Sequence, residues 1–188
     1  MKLKKMVTVR VGRNISRVNG IQNQLLETYS YEDLTNDLDG LYLDSKSSPS
    51  NENIDKNNVH LSGVGDVVFS FVSSKAAIVS GKNTGKIINQ NFAKLIIEQE
   101  QLDSGYLCYV LNESHSMKKQ MAISMQGSTI PKLTPAILKT LDMKLPSIEK
   151  QQVIGKAYLT LRKRLALAKK QADMEELFFL EVLKKLDK

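Results

Sequence analysis

The residues of this chain that could do chemistry are few, and none is arranged for catalysis. His60 and His115 are its only histidines and Cys108 its only cysteine. Neither histidine has a cysteine or carboxylate at a spacing that would hold zinc, so each reads as a surface or satisfied polar residue. Cys108 lies in the apolar run Tyr106 to Leu111 and reads as a small buried hydrophobe rather than a reactive thiol. A lone cysteine forms no intrachain disulfide. Asp44-Ser45-Lys46 and Asp55-Lys56 are fragments of nuclease-like carboxylate-lysine patterns, but they fall in a loop-like segment with no strand to align them on a metal. Gly81-Lys82-Asn83-Thr84-Gly85-Lys86 has the look of a phosphate-binding Walker loop. It is one residue short between the glycines, and Ile87 stands where Ser or Thr must bind magnesium. The expectation is therefore no active site, no metal and no cofactor.

What the chain does offer is polar and basic side chains at the ends of elements. Arg13 and Arg17 flank the loop Gly12 to Arg17, and guanidinium groups suit bidentate contact with guanine or phosphate. Lys75, Lys82 and Lys86 sit at turns and are assigned to backbone phosphates, with a plain solvated turn as the competing reading at Lys82 and Lys86. Gln126, Ser128 and Lys132 surround Gly127, where the backbone can approach a ligand closely. Arg13 and Gln126 are the choices for base edges. Together these eight residues are the candidates for contact if the chain binds DNA, which the residues alone leave open against a plain solvated surface.

The elements that must position them alternate in type. Val7, Val9 and Val11 alternate with Thr8 and Arg10, a half-buried strand ending at Gly12 with Arg10 pointing away from the core. Ser30 can cap a short helix through Leu34, and Asp44 to Asn58 reads as a surface loop. Val67 to Phe71 and Ala76 to Val79 predict a hairpin, and Asn91 to Glu98 resumes a strand. Asp103 can cap a helix from Ser104 through Leu111, broken near Asn112 and continuing to Met121. Met117, Met121 and Met125 recur every fourth residue and read as packing surface.

The tail is of another kind. Ile154, Tyr158, Leu161, Leu165, Ala168, Ala172, Glu175, Phe179, Val182 and Leu186 step alternately by four and three, and all but Glu175 are apolar or aromatic. That is a coiled-coil seam on a helix of roughly 40 residues, about 60 Å long. A second stripe at Val153, Ala157, Leu167, Met174, Leu177 and Phe178 widens the apolar face and suggests bundling with more than one helix. A homodimer, a pairing with another subunit and a fold back onto the head all satisfy the seam. Folding back needs a break, and no proline lies within the helix, so a partner is expected.

At 188 residues and 41% hydrophobic, the chain has room for one domain with an appendage. Its net charge of +7 is unevenly placed: residues 1–30 carry +5, 31–60 carry −5, 61–146 carry +3 and 147–188 carry +4. A mixed solvated surface and a basic DNA-facing side both account for this pattern. No run approaches the ~18 apolar residues of a membrane span, and Arg10 and Arg13 interrupt any secretory segment, so a cytoplasmic location is expected.

A resemblance joins these parts. Gly127-Ser128, Leu133-Thr134, a short helix, an apolar-Lys144-Leu145-Pro146 segment and the Gln151-x-x-Ile154 helix start resemble the end of a target recognition domain in the specificity subunit of type I restriction-modification systems. Val64 to Ser70 resembles that family's Gly-Asp-Ile-Leu strand, Gly105 to Leu111 its Tyr-Leu helix, and Lys2 to Gly12 its opening. The chain departs from the family at Pro146-Ser147, where Pro-Pro is common, and at Lys150-Gln151, where Glu-Gln is common; Ser147 is itself a suitable N-cap. The resemblance implies an α+β fold: a mixed α/β target recognition domain, residues 1–146, followed by one long coiled-coil-forming helix, 147–188. It implies a non-enzymatic, sequence-specific subunit that binds double-stranded DNA and directs a type I adenine methyltransferase, with a restriction subunit as a further partner. The Asn- or Asp-Pro-Pro-aromatic motif of such a methyltransferase has no counterpart, since no two of the four prolines are adjacent. A full-size member would hold two recognition domains and two helices, so this chain resembles half of one and is expected to pair with an identical chain through its helix. The alternative is a dimeric coiled-coil scaffold or regulator that binds a partner without reading DNA.

Overall fold

The computed structural model describes residues 1–14, 27–40, 60–97, 101–126 and 133–187. Their order is β1 (Val7–Val11), α1 (Tyr31–Leu38), β2 (Val67–Ser70), β3 (Lys75–Ile78), β4 (Phe92–Ile97), α2 (Ser104–Glu113), α3 (His115–Met125), α4 (Pro135–Thr140) and α5 (Ile148–Leu186). Short 3-10 turns precede β1 at Leu3–Lys5 and follow β3 at Gly81–Asn83. The fold is α+β, with a mixed head and one long helix.

The strands form an antiparallel sheet in the order β1-β4-β2-β3. β2 is buried at every position, so both of its faces are covered. On one face Val9, Leu95, Val67 and Ile78 lie in a cross-strand row. On the other, Arg10 lies opposite Lys94, and two like charges so placed repel. Asp66 relieves this pair by meeting the Lys94 ammonium at 2.6 Å.

The helix starts follow local rules. Ser30 accepts from the Asp33 N–H while Asp33 accepts from the Ser30 N–H, a reciprocal capping box. Asp103 accepts from the Tyr106 N–H at 2.7 Å, and the expected break falls at Ser114, between α2 and α3. Thr134 caps α4 with Pro135 at its first position. Ser147 takes the N-cap position of α5 but makes no cap bond. Glu149, in the first turn of α5, has its carboxyl held below its ordinary value by its own backbone N–H and then by Ser147.

The edge strand β3 is closed by a side chain. Asn112 of α2 accepts from the Ala76 N–H at 2.7 Å and donates to the Ala76 carbonyl at 2.8 Å, as a neighbouring strand would. The same amide donates to the Tyr158 hydroxyl at 3.0 Å, so α5 is tied to the sheet through α2. The segment before α5 is also sewn down. Leu3 donates to the Leu141 carbonyl, Met143 to the Met1 carbonyl, and the Gln120 amide bonds both the N–H and the C=O of Asp142.

Asn112→Leu keeps the branched heavy-atom shape, though it is bulkier, and orphans the Ala76 backbone and the Tyr158 hydroxyl inside the protein. The expected cost is roughly 2–4 kcal/mol, read as a lower denaturant midpoint with an unchanged slope; a loss under 1 kcal/mol would show that the edge of β3 does not depend on this amide.

Candidate nucleic-acid interface and partner helix

The antiparallel sheet brings the end of β1, the start of β4 and the β2–β3 hairpin to one end. Arg13 stands exposed there. Its backbone N–H donates to the Ile88 carbonyl, and a Cβ on the preceding Gly12 would sit 2.2 Å from the Asn89 oxygen, so only glycine allows this approach. His60 lies beside Arg13: burial, then the Arg13 charge, holds the imidazole pKa below its ordinary value. Neither His60 nor Asn89 is legible in the sequence as a neighbour of Arg13, because the contacts that gather them join residues far apart in sequence.

Residues Lys86 to Asn89 act as a hub. Glu27 and Tyr29 bond to Ile87, Arg13 and His60 bond to Ile88, and Ser62 bonds to Lys86. Beneath the hub, buried Asp37 accepts from the Tyr29 hydroxyl at 2.7 Å, the Asn83 amide at 2.9 Å and the Ser80 N–H at 3.2 Å. Burial, then the Asp37 carboxylate, pushes the Tyr29 hydroxyl far up, so it stays a neutral donor.

The described members of the expected DNA-contacting set are not gathered onto one surface. Arg13 and Lys75 share one end of the sheet, while Lys82 stands exposed in the turn beyond the far end of β3. Lys75 donates to the Asn112 carbonyl and pairs with Glu113 at 3.5 Å. The Lys86 side chain is 17% exposed and held between Asp33 at 2.8 Å and Glu27 at 3.2 Å. Gln126 is exposed at the end of α3. Arg17, Ser128 and Lys132 lie outside the described residues.

The helix divides into two parts. Ile154 is half-buried against the head and Tyr158 is buried, its hydroxyl pushed up to about 12 by burial. Gln151 is buried, and its amide donates to the Gln101 and Pro146 carbonyls while its oxygen accepts from the Asp103 N–H. Arg162 forms an ion pair with Asp39. Past Arg162 no described residue of the helix is buried. Leu161, Leu165, Ala168, Ala172 and Leu186 of the seam are exposed, Phe178 and Phe179 are 63% and 62% exposed, and Val182 is intermediate.

Cys108 is fully buried, and burial, then Asp103, pushes its thiol up to about 12, as expected of an inert core residue. Among the described residues there is no group of His, Cys, Asp and Glu able to hold a metal ion, and no helix long and apolar enough to cross a membrane.

The family model for the type I restriction modification DNA specificity domain matches residues 2–174. The chain belongs to this family. Curated protein sequences offer no match. Among solved structures, the HsdS subunit from Thermoanaerobacter tengcongensis shares the fold with a TM-score of 0.54 and 16% identity, over 92% of this chain and 39% of that one. The S subunit of a type I restriction-modification system from M. genitalium gives 0.55 and 10% identity, over 95% and 42%. A chain from a study of complex assembly and conformational transition of the type I system gives 0.58 and 17% identity, over 97% and 42%. This specificity-domain chain thus spans about two-fifths of the length of the structures it matches. The Gln-x-x-Ile start that carried the resemblance is a structural lock, since Gln151 joins α5 to the residues before α2.

The ion pairs at the hub set a pH window. Burial alone would raise the Asp33 carboxyl, but hydrogen bonds from Lys86 and Ser30 hold it below its ordinary value. Burial opposes the charged Lys86, and the bonds to Asp33 and Glu27 outweigh it and raise its pKa. The Asp33 contribution is therefore present above the unfolded carboxylate value and lost as pH falls through the folded one; the Lys86 contribution is present below the unfolded lysine value and lost as pH rises through the folded one. Thermal unfolding across pH should show Lys86→Met destabilised on the plateau and flatter on both limbs. Parallel curves for the two proteins would place the pH dependence elsewhere.

Proposed function

We propose that this chain is a DNA sequence-reading subunit that directs a separate type I adenine methyltransferase, and with it a restriction subunit, to a target site. The observation that carries the reading is a specificity-domain head continuous with a helix whose far half is left uncovered. The related chains are more than twice as long, and a second copy joined through the free half of α5 supplies a second head. The eight sequence-derived residues remain the candidates for contact, with the phosphate role falling best on exposed Lys82 and the base-reading role on Arg13, beside His60.

A coiled-coil scaffold that does not read DNA is the second reading, favoured by one observation: Lys75 and Lys86 are both committed to carboxylates within the chain. The two readings separate on duplex selected from a random pool. A DNA-reading subunit enriches a bipartite motif, and identical paired heads related by a twofold axis require its halves to be inverted copies. Lys82→Ala should then weaken all sequences alike and flatten the salt dependence, whereas Arg13→Ala should relax discrimination at one position by about 1–3 kcal/mol. Enrichment of no motif by the chain with its methyltransferase would leave the scaffold reading; a bipartite motif with unrelated halves would assign the second head to a different polypeptide.

A further inference from the structure

The docked part of α5 makes contacts that a coiled-coil seam does not need. Gln151, Gly155, Tyr158 and Arg162 lie on one face of the helix, three or four residues apart, and each engages the head. Gly155 is the tightest of these. α2 and α5 cross there backbone to backbone, and a Cβ at Gly155 would lie 2.4 Å from Asp103 Oδ1, 2.6 Å from the Tyr106 nitrogen and 2.8 Å from the Gly105 carbonyl carbon. A Cβ at Gly105 would in turn meet the Gly155 Cα at 3.1 Å. The Asp103 carboxylate cannot yield freely, because it caps α2 through Tyr106. A glycine inside a long helix costs about 1 kcal/mol relative to alanine, and this crossing is the local reason for it. Since no described residue beyond Arg162 is buried, the direction of the free half is set wholly within the docked turns.

We propose that this crossing is a positioning joint: Gln151, Gly155 and Tyr158 fix the angle between head and free helix, and so determine the separation of the two DNA half-sites without touching DNA. The inference rests on the DNA-reading function proposed above. A rigid helix transmits a small change at its root to its far end. Each base pair advances the duplex by about 3.4 Å, so a displacement of that order alters which spacer length fits.

The test uses the full chain with spin labels at Lys119→Cys on α3 and Lys170→Cys on the free helix, both exposed, and diluted with unlabelled chain so that distances are intramolecular. Buried Cys108 stays unlabelled. The unmodified joint should give one narrow distance distribution. Gly155→Ala should shift its mean by about 1 Å or more, the lift needed to restore van der Waals contact, and Tyr158→Phe, which loses only the hydroxyl bonded to Asn112, should broaden it. On duplexes with constant half-sites and a spacer varied one base pair at a time, both variants should keep half-site preference while the advantage of the best spacer over its neighbours falls several-fold or moves. Should Gly155→Ala fail to fold by circular dichroism, Tyr158→Phe decides alone. Unchanged distance distributions, or an altered half-site with unaltered spacing, would overturn the joint. If the distances shift but the unmodified chain selects no bipartite DNA, the joint stands and the DNA-reading function falls.

Discussion

The contact between α2 and α5 at Gly105 and Gly155 is the constraint on which the rest of the arrangement depends. It lets two helices meet backbone to backbone, places Tyr158 where it can reach Asn112, and lets Asn112 close the edge of β3. Sheet, α2 and the root of α5 thereby become one packed body. The same docking uses up the only part of the helix that the head covers. From Lys163 to Leu186 α5 is about 36 Å of helix whose large apolar side chains lie in solvent, with Leu186 78% exposed. Burying a side chain of this size stabilises by about 1.5–3 kcal/mol, so the uncovered half favours association with another apolar helix.

A second constraint governs the opposite part of the head. The hub at Lys86 to Asn89 receives backbone bonds from Arg13, Glu27, Tyr29, His60 and Ser62, residues that flank two long stretches of chain. A buried carboxylate and an ion-paired ammonium fix this hub: Asp37 collects neutral donors, while half-buried Asp33 and exposed Glu27 neutralise Lys86. Buried charges are tolerated only when paired and hydrogen-bonded. The Lys86 charge is thus met within the chain, and Arg13 stands exposed just past the end of β1, as Arg10 does within it.

What was legible in the sequence was what local chemistry decides. Ser30 and Asp103 cap their helices because the cap needs only a neighbour three residues away, and the alternation of Val7, Val9 and Arg10 marks β1 because strand sides alternate by covalent geometry. The hairpin of β2 and β3 and the length of α5 were readable for the same reason. What the sequence hid was long-range. Periodicity assigns Tyr158 and Leu161 to one seam, yet Tyr158 is inside the head and Leu161 outside it, because the head surface ends between them. Gly155 reads in the sequence only as the one glycine within the helix, and nothing local shows that the backbone of Gly105 is what requires it. Lys86 looked like a phosphate contact because its partners, Glu27 and Asp33, lie more than fifty residues away along the chain. Ser147 shows the limit of local rules too, since it stands at the N-cap position of α5 without making a cap bond.

The homodimer proposed above joins two copies of this chain through the free half of α5. Sedimentation equilibrium of the purified chain, from below one to tens of micromolar, tests it most directly. Such a homodimer gives a particle of twice 21.1 kDa that persists into the low micromolar range, and it reverts to a single chain when Leu165 and Phe179 are both replaced by Asp, which places charge in the interface. A single 21.1 kDa species throughout that range, indistinguishable from the doubly substituted chain, would contradict it.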